Sequence, residues 1–252
     1  MSVAPFVDAL GLPAGARVDQ RVPKKLLLEH GAPTAADKRQ IHDGIEELLW
    51  IAALKPSNIG VPAFKDDVRE YLEIAVLTAT LRSGAKATRL TELIHRAIPY
   101  PVVLWTEQSQ VVSLSLAHKR WSQGQAGEVV IEDVRRTAAF RAESLTAHEI
   151  GFLASVALSG LPASDLYALY QGWLDRVAAL EAATVTGAFA PSATAERAAA
   201  QRDALAARAK LQRDLATLRA QAEREKQVNR RVELNLAIRR LEVELAVMAK
   251  AL

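Results

Sequence analysis

Four carboxylates, Asp66, Asp67, Glu70 and Glu73, crowd the entry to a run of β-forming residues. Carboxylates at a strand mouth can hold Mg²⁺ while a nearby Lys steadies an attacking water, which is the chemistry of metal-dependent nucleic-acid cleavage. Such nucleases pair an Asp on one strand with Glu-x-Lys on the next. Here Ile74-Ala75 follows Glu73 and no Glu-x-Lys occurs in the chain, so Lys55, on the adjoining strand, would have to substitute. The alternative account is a solvated strand entry with turn-forming charges.

Other chemistry is sparser. Ser83-Gly84-Ala85-Lys86-Ala87-Thr88 has a Gly, a Lys and a Thr between strand and helix, but a phosphate loop needs GxxxxGK[ST]. It reads as a plain turn with Thr88 capping the helix. His30, His42, His95, His118 and His148 show no HxH or HExxH spacing, so no metal site is expected. His95 and His118 read as packed or surface residues, and no Ser lies in a GxSxG turn. Trp50, Trp105, Trp121 and Trp173 read as core or interface anchors. The absence of Cys excludes disulfides, thiol catalysis and thiolate zinc sites. No catalytic residue and no cofactor is assigned.

Basic residues cluster as Arg21 with Lys24 and Lys25, Lys119 with Arg120, Arg135 with Arg136, Arg230 with Arg231, and Arg239 with Arg240. Such groups neutralise backbone phosphates without reading sequence. Arg21, Lys24, Lys25, Arg230 and Arg231 are the candidate nucleic-acid contacts, although basic pairs more often form solvated faces. The charge is uneven: residues 189–252 carry 13 Lys+Arg against 8 Asp+Glu, and the first 188 residues carry 19 against 21. A basic tail on a slightly acidic body explains the pI near 9.2.

The elements that position these residues follow from periodicity. Ile41, Ile45 and Leu48 fall at i, i+4, i+7, which predicts a helix from Ala35 to about Leu49 and a strand over 49–54. Residues 69–81 read as the strongest strand, apolar on both sides and so mid-sheet. A helix over about 88–97 turns Leu90, Leu93, Ile94 and Ala97 inward. Residues 102–105 and 111–117 predict a hairpin across a Gln/Ser turn, with an edge strand over 129–134. The expected fold is α+β (or α/β): a mixed sheet with two covering helices over residues 1–144, a helical bridge over 145–188 and a basic coiled-coil helix over 189–252.

In that last stretch Leu211, Leu215, Leu218 and Ala222 step in one frame, and Leu234, Ile238, Leu241, Leu245, Met248 and Leu252 in another. Alternating +3/+4 steps make a narrow apolar seam that another helix must cover. Leu234, Ile238, Leu241, Leu245 and Met248 are therefore the candidate partner-binding seam. The frame break over 224–231 implies a stutter, a bend or a change of partner. One unbroken helix from Ser192 would span roughly 90 Å. No run of 18 apolar residues occurs, and MSVAPFVDALGLP lacks a basic start and a long apolar segment, so a soluble cytoplasmic protein is expected, with no membrane partner.

Several phrases carry a resemblance: Arg21-Val-Pro-Lys-Lys25, Ala35-Ala-Asp-Lys38, Leu54-Lys-Pro56 with Asn58-Ile59-Gly60, Glu73-Ile74, Ile98-Pro-Tyr-Pro101, Leu166-Tyr-Ala-Leu-Tyr170 with Gly172-Trp173, and Lys226-Gln227 with Leu234-Asn235-Leu236. Together they resemble an uncharacterised bacterial and archaeal family, a numbered domain of unknown function, over nearly the whole chain. Genes of such families tend to lie beside a helicase and a DNA methyltransferase in restriction-like or phage-defence clusters. The resemblance thus implies a non-enzymatic adaptor that docks a larger helicase or methyltransferase subunit. Its basic C-terminal helix would supply assembly, self-association or contact with the DNA backbone. The alternatives are a nuclease-like enzyme using Asp66, Asp67, Glu73 and Lys55, or a homodimeric scaffold.

Overall fold

The computed structural model describes residues 3–124 and 129–249. The chain forms two compact units, Met1–Val177 and Ala178–Leu252. The first begins with α1 (Ala4–Asp8), β1 (Arg17–Arg21), α2 (Lys24–His30), α3 (Ala35–Gly44), β2 (Ile45–Leu54) and the single turn α4 (Pro56–Ile59). It continues through β3 (Phe64–Lys65), β4 (Glu70–Tyr71), β5 (Ile74–Leu81), α5 (Ala87–Ala97), β6 (Val102–Gln108) and β7 (Val111–Leu116). Then come β8 (Lys119–Trp121), β9 (Val129–Ile131), β10 (Arg135–Arg136), α6 (Ala147–Ser155) and α7 (Leu166–Thr186), whose last turns belong to the second unit.

The fold is α+β. A mixed sheet runs β1-β2-β5-β6-β7-β10, parallel between β5 and β6 and antiparallel elsewhere. The parallel pair is joined by the crossover helix α5, as a parallel connection requires. The central strand β5 is apolar but for Thr78 and Thr80, as suits a strand covered on both faces. Ala75, Leu77, Ala79 and Leu81 meet Leu27 of α2, Ile41 of α3, and Leu90, Leu93 and Ile94 of α5 in one buried cluster. Elsewhere in the unit an aromatic group forms from Phe6 of α1, Trp105, Phe140 and Phe152 of α6, with ring centroids 5.3–6.2 Å apart.

Several expectations shift. The helix from Ala35 ends at Gly44, and Ile45 and Leu48 are buried strand residues of a longer β2. Their spacing suits either element; pairing with β5 from Ile45↔Leu81 onward decides for strand. Residues 70–71 pair with 64–65 rather than extending β5. Residues 129–131 pair with β8 in a separate ribbon, and the main sheet's edge is β10 instead. The hairpin turn is Ser109-Gln110, both at positive φ (49° and 66°), the geometry a two-residue turn needs to match strand twist. Thr88 does not cap α5: the helix starts at Ala87 with no side-chain cap.

The second unit contains the end of α7, then α8 (Ala195–Arg224) and α9 (Val228–Ala249). Thr194 caps α8 by accepting from the Arg197 N–H. The helix stops inside the frame-break region, at Glu225. Glu225 Oε1 accepts the Gln227 N–H there, and α9 packs against α8. Arg219 and Glu242 form an ion pair at 2.6 Å. A straight helix would hold residues 23 apart at roughly 34 Å, so the segment doubles back and no 90 Å rod forms.

Candidate functional site

Of the four nuclease-type residues, the structure joins two. Lys55, just after β2, and Glu73, just before β5, are neighbours because β2 and β5 run antiparallel with Leu54 opposite Ile74. Lys55 Nζ lies 3.0 Å from Glu73 Oε2. The Glu73 carboxylate is buried, and its Oε1 has no hydrogen-bond partner among the described residues. The Asp66 carboxylate is turned to its own loop, where Oδ1 accepts the N–H groups of Val68 and Arg69, and Asp67 is exposed. Glu70 pairs with Lys65 at 2.6 Å. Among the described residues no three His, Asp or Glu side chains come together as a metal site. The acidic stretch is therefore a salt-bridged strand entry, with one buried carboxylate held by one lysine.

The densest polar group lies elsewhere, at the bend between β7 and β8, where Ala117, His118 and Lys119 receive contacts from distant elements. Tyr71 O–H donates to His118 Nδ1 at 2.5 Å and accepts the Lys119 N–H at 3.3 Å. On its far side His118 Nε2 meets Gln171 Oε1 at 2.8 Å, while Gln171 Nε2 donates to Asp175 at 2.7 Å. Because the Gln amide must give its N–H to Asp175, its oxygen faces His118. The imidazole is then the Nε2–H tautomer. Tyr170 O–H donates to the Val102 carbonyl at 2.7 Å and accepts the Ala117 N–H at 2.9 Å. Tyr167 stacks on His118 at 4.9 Å, and the Arg69 guanidinium sits 5.1 Å from the Tyr167 ring centroid on its way to Glu132. Burial pushes the Tyr71 and Tyr170 phenols well above their usual range, so both stay neutral donors.

Lys119 itself is buried. Its ammonium donates to the carbonyls of His95 and Ile98, groups that the end of α5 leaves unpaired. Burial lowers its pKa to about 7, against the favourable negative end of the helix. His95 is also buried, with Nε2 3.0 Å from Ser115 Oγ. Desolvation, with the Lys119 charge adding to it, lowers its pKa to about 3, so the ring is neutral. The two most distinctive phrases of the sequence thus converge here. Ile98-Pro-Tyr-Pro101 presents the Ile98 carbonyl to Lys119, and Leu166-Tyr-Ala-Leu-Tyr170 presents two tyrosines. Gly172 lets α7 lie close, since a Cβ there would stand 2.7 Å from Pro162 Cδ. His95 Nδ1 has no hydrogen-bond partner among the described residues, and the remaining contacts make the group a keystone joining β4, α5, β7–β8 and α7.

The candidate nucleic-acid contacts occupy two places. Arg21 and Lys25 are exposed and loosely paired with Glu47 (3.9 Å) and Glu29 (3.7 Å). Lys24 donates to the His42 carbonyl at 2.9 Å. Its pKa is lowered by partial burial and then by the nearby positive charges of Arg82 and Arg21. Arg230 and Arg231 are exposed at the start of α9, Arg230 being 3.6 Å from Glu225.

On α9 the seam residues Leu234, Ile238, Leu241, Leu245 and Met248 are each half-buried. Five other large apolar residues are more than half exposed: Val228 64%, Val232 52%, Leu236 53%, Val243 65% and Val247 63%. At about 3.6 residues per turn the last four lie roughly 180° around the helix from the seam. The helix thus has two apolar faces. Arg239 and Arg240 border the exposed one on its two sides, between Leu236 and Val243 along the helix. Sequence spacing did not separate this face, because the regular +3/+4 seam dominates the pattern.

Among the described residues no helix is long and apolar enough to cross a membrane. No curated protein and no solved structure matches the chain. One family matches residues 10–245, spanning the sheet unit and nearly all of the helical hairpin. By that match the chain belongs to the family described as Domain of unknown function (DUF4391).

Proposed function

We propose that this protein is a non-enzymatic, cytoplasmic adaptor subunit that docks a larger helicase or DNA methyltransferase subunit of a restriction-like defence system. The observation that carries the docking part is the exposed face of α9, with Val232, Leu236, Val243 and Val247 in solvent opposite a half-buried seam. A second apolar face on an already paired helix costs burial free energy unless something covers it, about 1.5–3 kcal/mol per large side chain. The resemblance supplies the helicase and methyltransferase setting.

Charge selects the occupant. In an antiparallel pairing with a second copy, Val228 would meet Val247 and Val232 would meet Val243. The same register gathers Arg239 and Arg240 of both copies at the centre, with like charges adjacent. A helix of another protein with apolar residues flanking a central acidic one satisfies both the stripe and the arginines. The test is co-purification of the native complex with Val232→Asp/Leu236→Asp. Loss of the partner with the fold intact supports the reading, and retention overturns it.

A second reading, a nuclease-like enzyme, is favoured by one observation, the contact of Lys55 with the buried Glu73. The positions of Asp66 and Asp67 weigh against it. Mg²⁺- or Mn²⁺-dependent DNA cleavage lost in Glu73→Gln would establish it.

A further inference from the structure

The turn between β5 and α5 faces the C-terminal end of α3 across a cavity of about 320 Å³. The approach is close because α3 ends on Gly44, where a Cβ would lie 2.7 Å from Leu90 Cδ1 and 3.2 Å from Ala85 Cβ. The turn is held in place: Gln108 Nε2 donates to the carbonyls of both Arg82 and Ala85 at 2.9 Å, and Gly84 takes φ +77°.

Three cations from two segments, Arg39 of α3 and Arg82 and Lys86 of the β5–α5 turn, line this cavity. None has a carboxylate partner within ion-pair distance among the described residues, and Arg82 reaches only the Asp43 carbonyl. Some other basic residues of the same unit are neutralised by carboxylates, as in Arg17–Asp19, Lys55–Glu73, Lys65–Glu70, Arg69–Glu132 and Arg89–Asp37. The one lining carboxylate, Asp43, meets His42 Nδ1 at 2.8 Å, and that contact, with the Arg82 charge adding to it, holds it below the usual carboxylate range. Lys24 feels the positive charges of Arg82 and Arg21, with Asp43 and Glu46 opposing them.

We infer that this cavity is a binding site for a phosphate group carried by a nucleotide or a polynucleotide. Three cations against one carboxylate favour an oxyanion, and guanidinium groups match phosphate oxygens in a bidentate fork. The volume stands at the small end of ligand sites, enough for a phosphate with its sugar rather than a dinucleotide. The first turn of α5, beside Lys86, has no side-chain cap, although its Ala87 N–H already donates to the Ala85 carbonyl. This inference does not depend on the adaptor reading.

The test uses the full chain with three probes: inorganic phosphate, AMP and a 20-base-pair duplex. Each is titrated at two salt concentrations, against wild type and Arg82→Gln/Lys86→Gln. Both side chains are exposed, so circular dichroism should be unchanged. The expected result is at least tenfold weaker binding by the variant, with the salt slope for the duplex shallower by roughly two phosphate contacts. Loss of duplex binding alone identifies a polynucleotide backbone as the source. Loss of AMP binding identifies a nucleotide. Equal affinities in wild type and variant, binding of inorganic phosphate alone, or no binding of any probe would each overturn the assignment.

Discussion

Arg219 and Glu242 meet at 2.6 Å across the two helices of the C-terminal hairpin, although 23 residues separate them. That contact reports how the basic segment solves its own covering problem. By doubling back at Glu225–Gln227, α8 half-covers the seam of α9, and the opposite face of α9 is the one left in water. Val232, Leu236, Val243 and Val247 are therefore the apolar side chains of α9 most open to a partner.

Lys119 predicts a pH signature. Its folded pKa of about 7 lies below the ordinary 10.5. Between these values the unfolded chain binds more protons, so its contribution to stability rises with pH across that window. Below pH 7 the cost of burying the charge is fully present. Unfolding by urea should show wild type gaining on Lys119→Met by up to about 1.4 kcal/mol per pH unit from 7 toward 10. Parallel curves would show that Lys119 does not titrate in that range.

Tyr71→Phe deletes the donor to His118 and the acceptor for the Lys119 N–H. With both left unpaired in a buried site, the loss should be about 1–3 kcal/mol in denaturant midpoint measurements. Tyr170→Phe should cost a similar amount through the Val102 carbonyl and the Ala117 N–H. A neutral effect in both variants would mean that water reaches these groups and the keystone is not closed.

Lys55→Met removes the partner of a buried carboxylate, so it should destabilise by about 1–3 kcal/mol, and Glu73→Gln by less. Purified protein should show no Mg²⁺- or Mn²⁺-dependent cleavage of plasmid DNA. Thermal unfolding and a gel assay read the two parts separately. Unchanged stability with metal-dependent cleavage would reverse the interpretation of this ion pair.

Local pattern was enough for some of this and not for the rest. Leu90, Leu93, Ile94 and Ala97 repeat at helical spacing, and all four are buried in α5. The apolar run of β5 announced a strand covered on both faces. By contrast β1, Arg-Val-Asp-Gln-Arg, has one apolar residue and is a strand only because its backbone pairs with β2. Ile41, Ile45 and Leu48 suit helix and strand alike, and cross-strand pairing decides between them. The His118–Lys119 group was illegible because its partners lie 21 to 53 residues away, and spacing carries no record of such contacts. The Lys55–Glu73 pair was accessible from the expectation of adjoining strands. The outer face of α9 was visible as residues but hidden behind the more regular seam.

The most direct measurement is co-purification of the native complex with paired charge substitutions on each face of α9, read by mass spectrometry and circular dichroism. The account predicts that Val232→Asp/Leu236→Asp releases the helicase or methyltransferase subunit with helicity retained, because a charge cannot be satisfied in a desolvated interface. Leu241→Asp/Leu245→Asp should instead reduce helicity by loosening α9 from α8. Retention of the partner by the outer-face variant, with its helices intact, would contradict the account.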